Sequence, residues 1–381
     1  MERVVWDQVE AILGSGVRFS LVSTGGGSLA GMWLLNHPGA SRAVLEFQVP
    51  YGEAALARYL GRSGPHGAGA ETARAIAAIA HQRAQVFAPG GAVLGVGCTA
   101  ALATSRERRG EDRACIGLRT PQEYQLVELQ FEKGVADRLA QEEVLSRVIL
   151  ETIAGGCGLA PAPVGPLPAW VSVARRSCRV CPELEQLLDG AAEVMELGLE
   201  GEPSLNPVRR DRLLFPGSFN PLHQGHEGLA RAAQGRSGRL AALELSVQNV
   251  DKPPLAYEEV LRRLEALRGR YPVVVTKAPI FAQKARLFPG CWFAVGVDTA
   301  FRLIEPKYYR GGVSEMEEGL AQMLALGCRF LVAGRLLDGR YQTLGEVAVP
   351  DRWRTLLVDI PESAFRADVS SSALRAAERK A

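Results

Sequence analysis

Leu213–His226 reads LLFPGSFNPLHQGH. Apolar residues lead into Pro216-Gly217. A Ser-Phe-Asn-Pro-Leu turn follows, and His-x-Gly-His then opens the helix-like run EGLARAAQ. The order is strand, tight loop, helix. That order turns backbone N–H groups and a helix N-terminus toward one spot, where an anion is held. Two of the chain's five histidines stand three residues apart inside this stretch. The spacing puts both on one side of a helical turn, where they can hydrogen-bond the oxygens of a bound anion.

Downstream, apolar runs at 239–247, 272–276, 292–297, 330–334 and 356–360 read as strands. Helical patterns over 257–268 and 312–326 alternate with them. Alternating βα units predict a mostly parallel sheet, with ligands beyond the carboxyl ends of its strands at a switch point. The opening loop, Asp298 after the fourth strand and Arg335 after the fifth all fall at such ends. Lys252 lies in a loop, and Ser371, Ser372 and Arg375 begin a last helix.

These pieces together resemble the HxGH nucleotidyltransferase superfamily, and within it the nicotinamide or nicotinate mononucleotide adenylyltransferases. That family's loop reads Gly-Ser/Thr-Phe-Asn/Asp-Pro-x-His-x-Gly-His, present here from Gly217 to His226. Its Gly-x-Asp-Ser/Thr is Gly296–Thr299, its late arginine is Arg335, and its Ser-Ser-Thr-x-Ile-Arg signature is Ser370–Arg375 with Ser372 in place of threonine. A lysine followed by a helix bearing Arg-Leu is Lys252 and Arg263-Leu264. The resemblance covers roughly 212–378 and implies a Rossmann-like domain that joins ATP, with its Mg²⁺, to a pyridine mononucleotide. It implies catalytic roles for His223, His226 and Arg375, and nucleotide contacts for Gly217, Ser218, Phe219, Asn220, Gly225, Asp298, Arg335, Ser371 and Ser372. Lys252 and Arg263 fall at substrate-binding positions. In-line adenylyl transfer needs positioning and charge neutralisation but no covalent enzyme intermediate, and Mg²⁺ rides on the triphosphate rather than in a protein-made metal site. Another transferase of the superfamily (cytidylyl or pantetheine-phosphate), or a nucleotide-binding protein without turnover, is the competing reading.

The N-terminal half repeats the strand–glycine loop–helix pattern. Arg18–Val22 reads as a strand, Ser23–Ser28 as a Gly-rich loop and LAGMWLL as a helix. Further helices and strands alternate to a long helix ending near Ala154, which predicts a three-layer α/β domain. It resembles the nicotinamide mononucleotide deamidase family, the domain found at the C-terminus of competence-damage-inducible proteins, over roughly residues 5–157. The resemblance places the family's serine nucleophile on Ser23 and its tyrosine on Tyr51. Its catalytic lysine falls on Leu56, its loop threonine on Gly25, and its Thr-Gly-x-Ala-Gly-Pro loop on Cys98–Thr104 (CTAALAT). A serine without a base is a weak nucleophile, so the expectation is a degenerate site.

The 381 residues predict two domains, at 1–157 and 212–381, with 158–211 as a Pro/Gly-rich linker followed by an amphipathic helix over 182–199. A net charge of +2 gives no push toward nucleic acid. No long apolar run marks a membrane span, and the charged N-terminus lacks a signal-peptide core, so a cytoplasmic protein is expected. Seven scattered cysteines predict reduced thiols, Cys178 and Cys181 included. Arg175, Arg176 and Arg179 read as a solvated face. Homo-oligomerisation stays open.

Overall fold

The computed structural model describes residues 2–61, 66–105, 109–160, 167–248, 254–337 and 340–367. Two compact α/β units divide the chain, Met1–Val180 and Cys181–Ala381.

The first unit runs α1 (Arg3–Gly14), β1 (Arg18–Thr24), α2 (Ser28–Leu35), β2 (Val44–Gln48), α3 (Glu53–Leu60), α4 (Ala70–Phe87), β3 (Val93–Ala101), β4 (Asp112–Arg119), β5 (Glu123–Phe131), α5 (Arg138–Gly156) and β6 (Val171–Arg179). Its sheet has the order β2-β1-β3-β4-β5-β6. β1 pairs in parallel with β2 and β3, and β3 through β6 pair antiparallel. Successive strand residues point to opposite faces. Accordingly Leu21 joins the core made with α1, α2 and α5, whereas Val22 joins that made with α3 and α4. These are the three layers expected. Small residues set the approach of α4: a Cβ at Gly95 would lie 2.2 Å from the Ala77 carbonyl oxygen, and one at Gly97 2.6 Å from the Ala77 nitrogen. In α1 the apolar Val4 is 48% exposed, whereas Gln8 is buried.

The second unit runs α6 (Pro182–Asp189), β7 (Val194–Leu197), β8 (Pro203–Leu205), β9 (Leu213–Pro216), α7 (Gln224–Ser237), β10 (Ala241–Ser246), α8 (Tyr257–Leu267), β11 (Val273–Thr276), α9 (Phe281–Leu287), β12 (Trp292–Gly296), α10 (Val297–Leu303), α11 (Gly312–Ala325), β13 (Arg329–Ala333), β14 (Arg335–Leu337), β15 (Arg340–Gln342) and β16 (Leu357–Ile360). The large sheet has the order β16-β13-β12-β9-β10-β11-β7-β8, and β14 and β15 form a separate hairpin. From β16 to β11 every pair is parallel. The chain winds one way from β9 through β10 to β11, and the other way through β12, β13 and β16. The reversal lies between β9 and β12, so the crevice beyond their carboxyl ends is the natural ligand position.

The segment expected as linker and helix departs from expectation. Val171–Arg179 completes the first sheet as β6, where Arg175 pairs with Glu151 and Arg176 with Glu128. The helix from Pro182 stops at Asp189, because Gly190 takes the left-handed conformation (φ 85°) that caps a helix. Val194, Met195 and Leu197 then extend the second sheet as β7, antiparallel to β11. The boundary between the units therefore lies at Val180/Cys181, inside the stretch read as a connector.

No helix among the described residues is long and apolar enough to cross a membrane. None of the seven cysteines, all among the described residues, forms a disulfide.

Candidate active site

The loop after β9 is folded by its own aromatic residue. Phe219 has φ 44°, and its ring turns under the loop to sit 5.3 Å from Phe215 and 5.2 Å from His226, edge-on to both. It is 2% exposed. A Cβ at Gly217 would lie 2.6 Å from that ring, so only glycine fits there. The Gly217 N–H donates to the Glu244 carbonyl at 3.0 Å, tying the loop to β10.

His223 is the N-cap of α7. His226, in the third helical position, accepts the His223 backbone N–H on Nδ1 at 3.2 Å, and the His223 side chain faces the helix start in the reciprocal capping arrangement. The two imidazoles stack with centroids 3.7 Å apart. A Cβ at Gly225 would lie 3.0 Å from His223 Nδ1, so the missing side chain lets the ring lie over the first turn. Burial, then the neighbouring charge of His223 and that of Arg335, push His226 down to about 4. Burial and Arg335 lower His223 in the same way. His226 is thus neutral near pH 7, and because Nδ1 accepts, its proton is assigned to Nε2. It presents a neutral N–H donor at the positive end of a 14-residue helix.

Across the switch point, Asp298 occupies the first turn of α10. Its Oδ2 accepts from Arg335 Nη1 at 3.2 Å. Its Oδ1 is buried without a hydrogen-bond partner among the described residues, beside the bare Cα of Gly296, where a Cβ would come within 2.5 Å. An orphaned carboxylate oxygen at a strand end suits a ligand hydroxyl or amine.

These groups share one cavity of about 820 Å³. Gly217, His223, Gly225, His226, Asp298 and Arg335 all line it, and it runs on past Phe281, Arg302, Tyr308 and Arg310. Its size suits two bound nucleotides better than one small metabolite. This second lobe, built by α9, α10 and α11, carried no motif in the sequence. Its residues come from three segments, so only the fold reveals them.

Not every expected residue faces the cavity. Phe219 is a packing residue of the loop, a correction to its reading as a nucleotide contact. Ser218 and Asn220 lie on the loop's far side. There the Ser218 carbonyl accepts from Arg263 Nη1 (3.2 Å) and Asn220 Oδ1 from Arg262 Nη2 (2.9 Å). Glu259 holds both arginines, and Arg262 first and then Arg263 lower its carboxyl to about 2 after burial is offset. Arg263 braces the loop from α8 instead of lining the cavity. Lys252, Ser371, Ser372 and Arg375 lie outside the described residues.

In the first unit, Ser23 is the penultimate residue of β1 and is 1% exposed, with Oγ unpartnered among the described residues. Tyr51 is 65% exposed, and its hydroxyl accepts from Arg138 Nη2 at 3.3 Å. Both line a pocket of about 290 Å³ with Ser28, Arg138 and Glu142. Leu56, at the position of the expected lysine, is buried against α4 and does not face the pocket.

Residues 214–377 match the cytidylyltransferase-like family model. A 173-residue stretch, 42% of this chain, is 29% identical to 81% of a probable nicotinate-nucleotide adenylyltransferase from Gloeobacter violaceus. A Plasmodium falciparum nicotinic acid mononucleotide adenylyltransferase, complexed with NaAD, aligns over 44% of this chain and 83% of its own at 14% identity and TM-score 0.28. A competence or damage-inducible protein from Enterobacter asburiae aligns over 41% of this chain and 98% of its own, at 14% identity and TM-score 0.34. The C-terminal half is thus similar in sequence to nucleotidyltransferases.

Proposed function

We propose that the C-terminal domain transfers the adenylyl group of ATP to a pyridine mononucleotide, nicotinate or nicotinamide, forming a dinucleotide and releasing pyrophosphate. The observation that carries this reading is the pairing, in one cavity, of the neutral His226 Nε2–H at a helix N-terminus with the orphaned Asp298 Oδ1. The first suits phosphate oxygens and the second a nucleoside hydroxyl or amine. The likeness to a nicotinate-nucleotide adenylyltransferase supports the choice of donor and acceptor.

In this reaction a phosphate oxygen of the mononucleotide attacks the α-phosphorus of ATP. The bond from that phosphorus to the oxygen bridging the β-phosphate breaks, and pyrophosphate leaves with the electron pair. No proton has to leave the nucleophile if it arrives as the dianion. His223 and His226 lie where the equatorial oxygens of the reacting phosphorus gather charge. The α7 N-terminus adds its partial positive charge there. The β9 loop holds the histidines in register, and Arg335 orients Asp298. Ser371, Ser372 and Arg375 are assigned to the β- and γ-phosphates on the strength of the late signature. Mg²⁺ would enter as the ATP complex and would supply neutralisation of the triphosphate charge. Among the described residues no cluster of three ligating side chains would hold it alone.

Incubation of the full chain with Mg²⁺-ATP or Mg²⁺-CTP and each mononucleotide tests the reading. Dinucleotide and pyrophosphate are expected from ATP. No dinucleotide from ATP with either mononucleotide defeats it, and product from CTP alone assigns the domain to cytidylyl transfer.

A further inference from the structure

The N-terminal pocket holds a second helix N-terminus, and its occupant is already in the chain. α2 follows a loop in which Gly25 (φ 76°) and Gly27 (φ 84°) take the left-handed conformation. A Cβ at Gly25 would fall 2.0 Å from the Ala100 carbonyl oxygen, so the loop is shaped for close backbone approach. Into this cradle reaches Glu142 from α5. Its Oε2 accepts from the Gly27 N–H at 2.8 Å, and its Oε1 from the Ser28 hydroxyl at 2.9 Å and the Leu29 N–H at 3.1 Å. Two backbone N–H groups and a serine hydroxyl at a helix start are the donors that hold a phosphate. Here they hold a carboxylate that is 7% exposed.

A second feature lies in the same place. The Ser23 Oγ is buried, faces the same pocket and has no partner among the described residues. Arg138, one helical turn before Glu142, spends Nη2 on the Gly25 carbonyl (2.9 Å) and the Tyr51 hydroxyl (3.3 Å). The pocket thus keeps a cation, a helix N-terminus and an orphaned hydroxyl, and it has filled its anion position from within.

We propose that Glu142 is a resident anion: it holds the α2 N-terminus in the place of a phosphate and closes the N-terminal pocket to phosphorylated ligands. A phosphate entering the intact pocket meets a like charge and finds its donors taken. Replacing the side chain by a methyl group leaves Gly27, Ser28 and Leu29 unsatisfied and opens a space joined to the 290 Å³ pocket. Glu142→Ala therefore becomes an inorganic-phosphate site.

Amide hydrogen exchange of residues 25–30 in the full chain reads this directly and is blind to phosphate bound in the C-terminal domain. In the wild type, slow exchange that added phosphate leaves unchanged is expected. In Glu142→Ala, exchange accelerates and phosphate restores protection. If Glu142→Ala is too unstable to purify, Glu142→Ser serves in the same comparison. Phosphate that slows exchange in the wild type overturns the proposal, as does phosphate without effect in the variant.

Discussion

Glu244 and Lys284 form a buried ion pair directly beneath the loop that carries His223. Lys284 Nζ donates to Oε1 at 2.7 Å and to Oε2 at 2.6 Å, and the Thr276 hydroxyl donates to Oε1 at 2.7 Å. The Lys284 and Glu244 side chains are 5% and 1% exposed. The same residue, through its carbonyl, holds the Gly217 N–H. One glutamate therefore joins β10, β11 and α9 to the β9 loop. Removing one partner leaves the other charge buried and uncompensated, which costs about 3–5 kcal/mol in comparable pairs. Lys284→Met is expected to lose stability in that range, and the double variant Lys284→Met/Glu244→Gln to recover most of it. Denaturant melts of the three proteins measure this; a single variant within about 0.5 kcal/mol of wild type would show that the pair bears no such strain.

His226 has two separable tasks. Nδ1 caps the helix and Nε2–H faces the cavity. An asparagine oxygen can take the place of Nδ1 but puts nothing at Nε2. His226→Asn should keep the fold and lose the donor, lowering turnover by about 10²–10³ with a smaller change in KM. Steady-state kinetics beside a thermal melt separate the two tasks. Equal kcat with intact structure removes His226 from transition-state stabilisation.

The same histidine makes stability depend on pH. The unfolded imidazole titrates near 6.5 and the folded one near 4. Between these values the unfolded chain binds a proton that the folded chain does not. Stability is therefore complete above about 6.5 and falls as the pH drops toward 4. In the first domain His81, pushed to about 4 by burial and then by Arg119, acts in the same direction over the same window. Urea midpoints followed from neutral to mildly acidic pH should fall in both domains. His226→Asn should flatten the slope for the second domain alone; an unaltered slope there would mean that other groups carry the dependence.

Asp298 Oδ1 has no hydrogen-bond partner among the described residues, and the proposed reaction gives it a ligand hydroxyl or amine. A hydrogen bond to a charged acceptor contributes roughly 1.5–3 kcal/mol, so Asp298→Ala should weaken nucleotide binding by about 10- to 150-fold. Asp298→Asn keeps an acceptor and should lose less. Titration calorimetry with each nucleotide identifies which one Oδ1 serves, and unchanged affinity for both would rule out a ligand contact.

Much of this was legible before folding. The strand–loop–helix from Leu213, the parallel sheet and the placing of Asp298 and Arg335 at strand ends follow from residue order, because βα units leave their loops on one edge. What escaped has physical causes. The apolar spacing from Leu184 to Met195 fits a helix and also fits a helix that breaks at Gly190 before a strand, and only the pairing of β7 with β11 decides. Phe219 in a polar loop looked like a ligand contact, whereas its positive φ folds the ring underneath. Glu142 carries no local sign of its role, since its partners are more than a hundred residues away. Leu56 has no titratable group, and in the fold it is buried and outside the N-terminal pocket.

Gly225 offers the most exacting test of the histidine geometry. It lies between the two histidines, and the His223 ring rests against its Cα. A methyl group there would stand 3.0 Å from Nδ1 and 3.1 Å from Cε1 of His223, and 3.5 Å from the Ala367 methyl. The first two are tighter than ordinary van der Waals contact, so the ring must turn or slide. Gly225 is the second residue of α7, so alanine gains only part of the up to about 1 kcal/mol by which it exceeds glycine in a helix interior, which offsets some of that strain. Gly225→Ala should therefore leave the melting temperature close to wild type while displacing His223 from its stack on His226. Because a misplacement of about 1 Å can cost on the order of 10² in rate, kcat should fall far more than stability. Kinetics and melts on the same preparation decide it: activity and stability both at wild-type levels would mean that the His223 ring position in this cavity is not part of the chemistry.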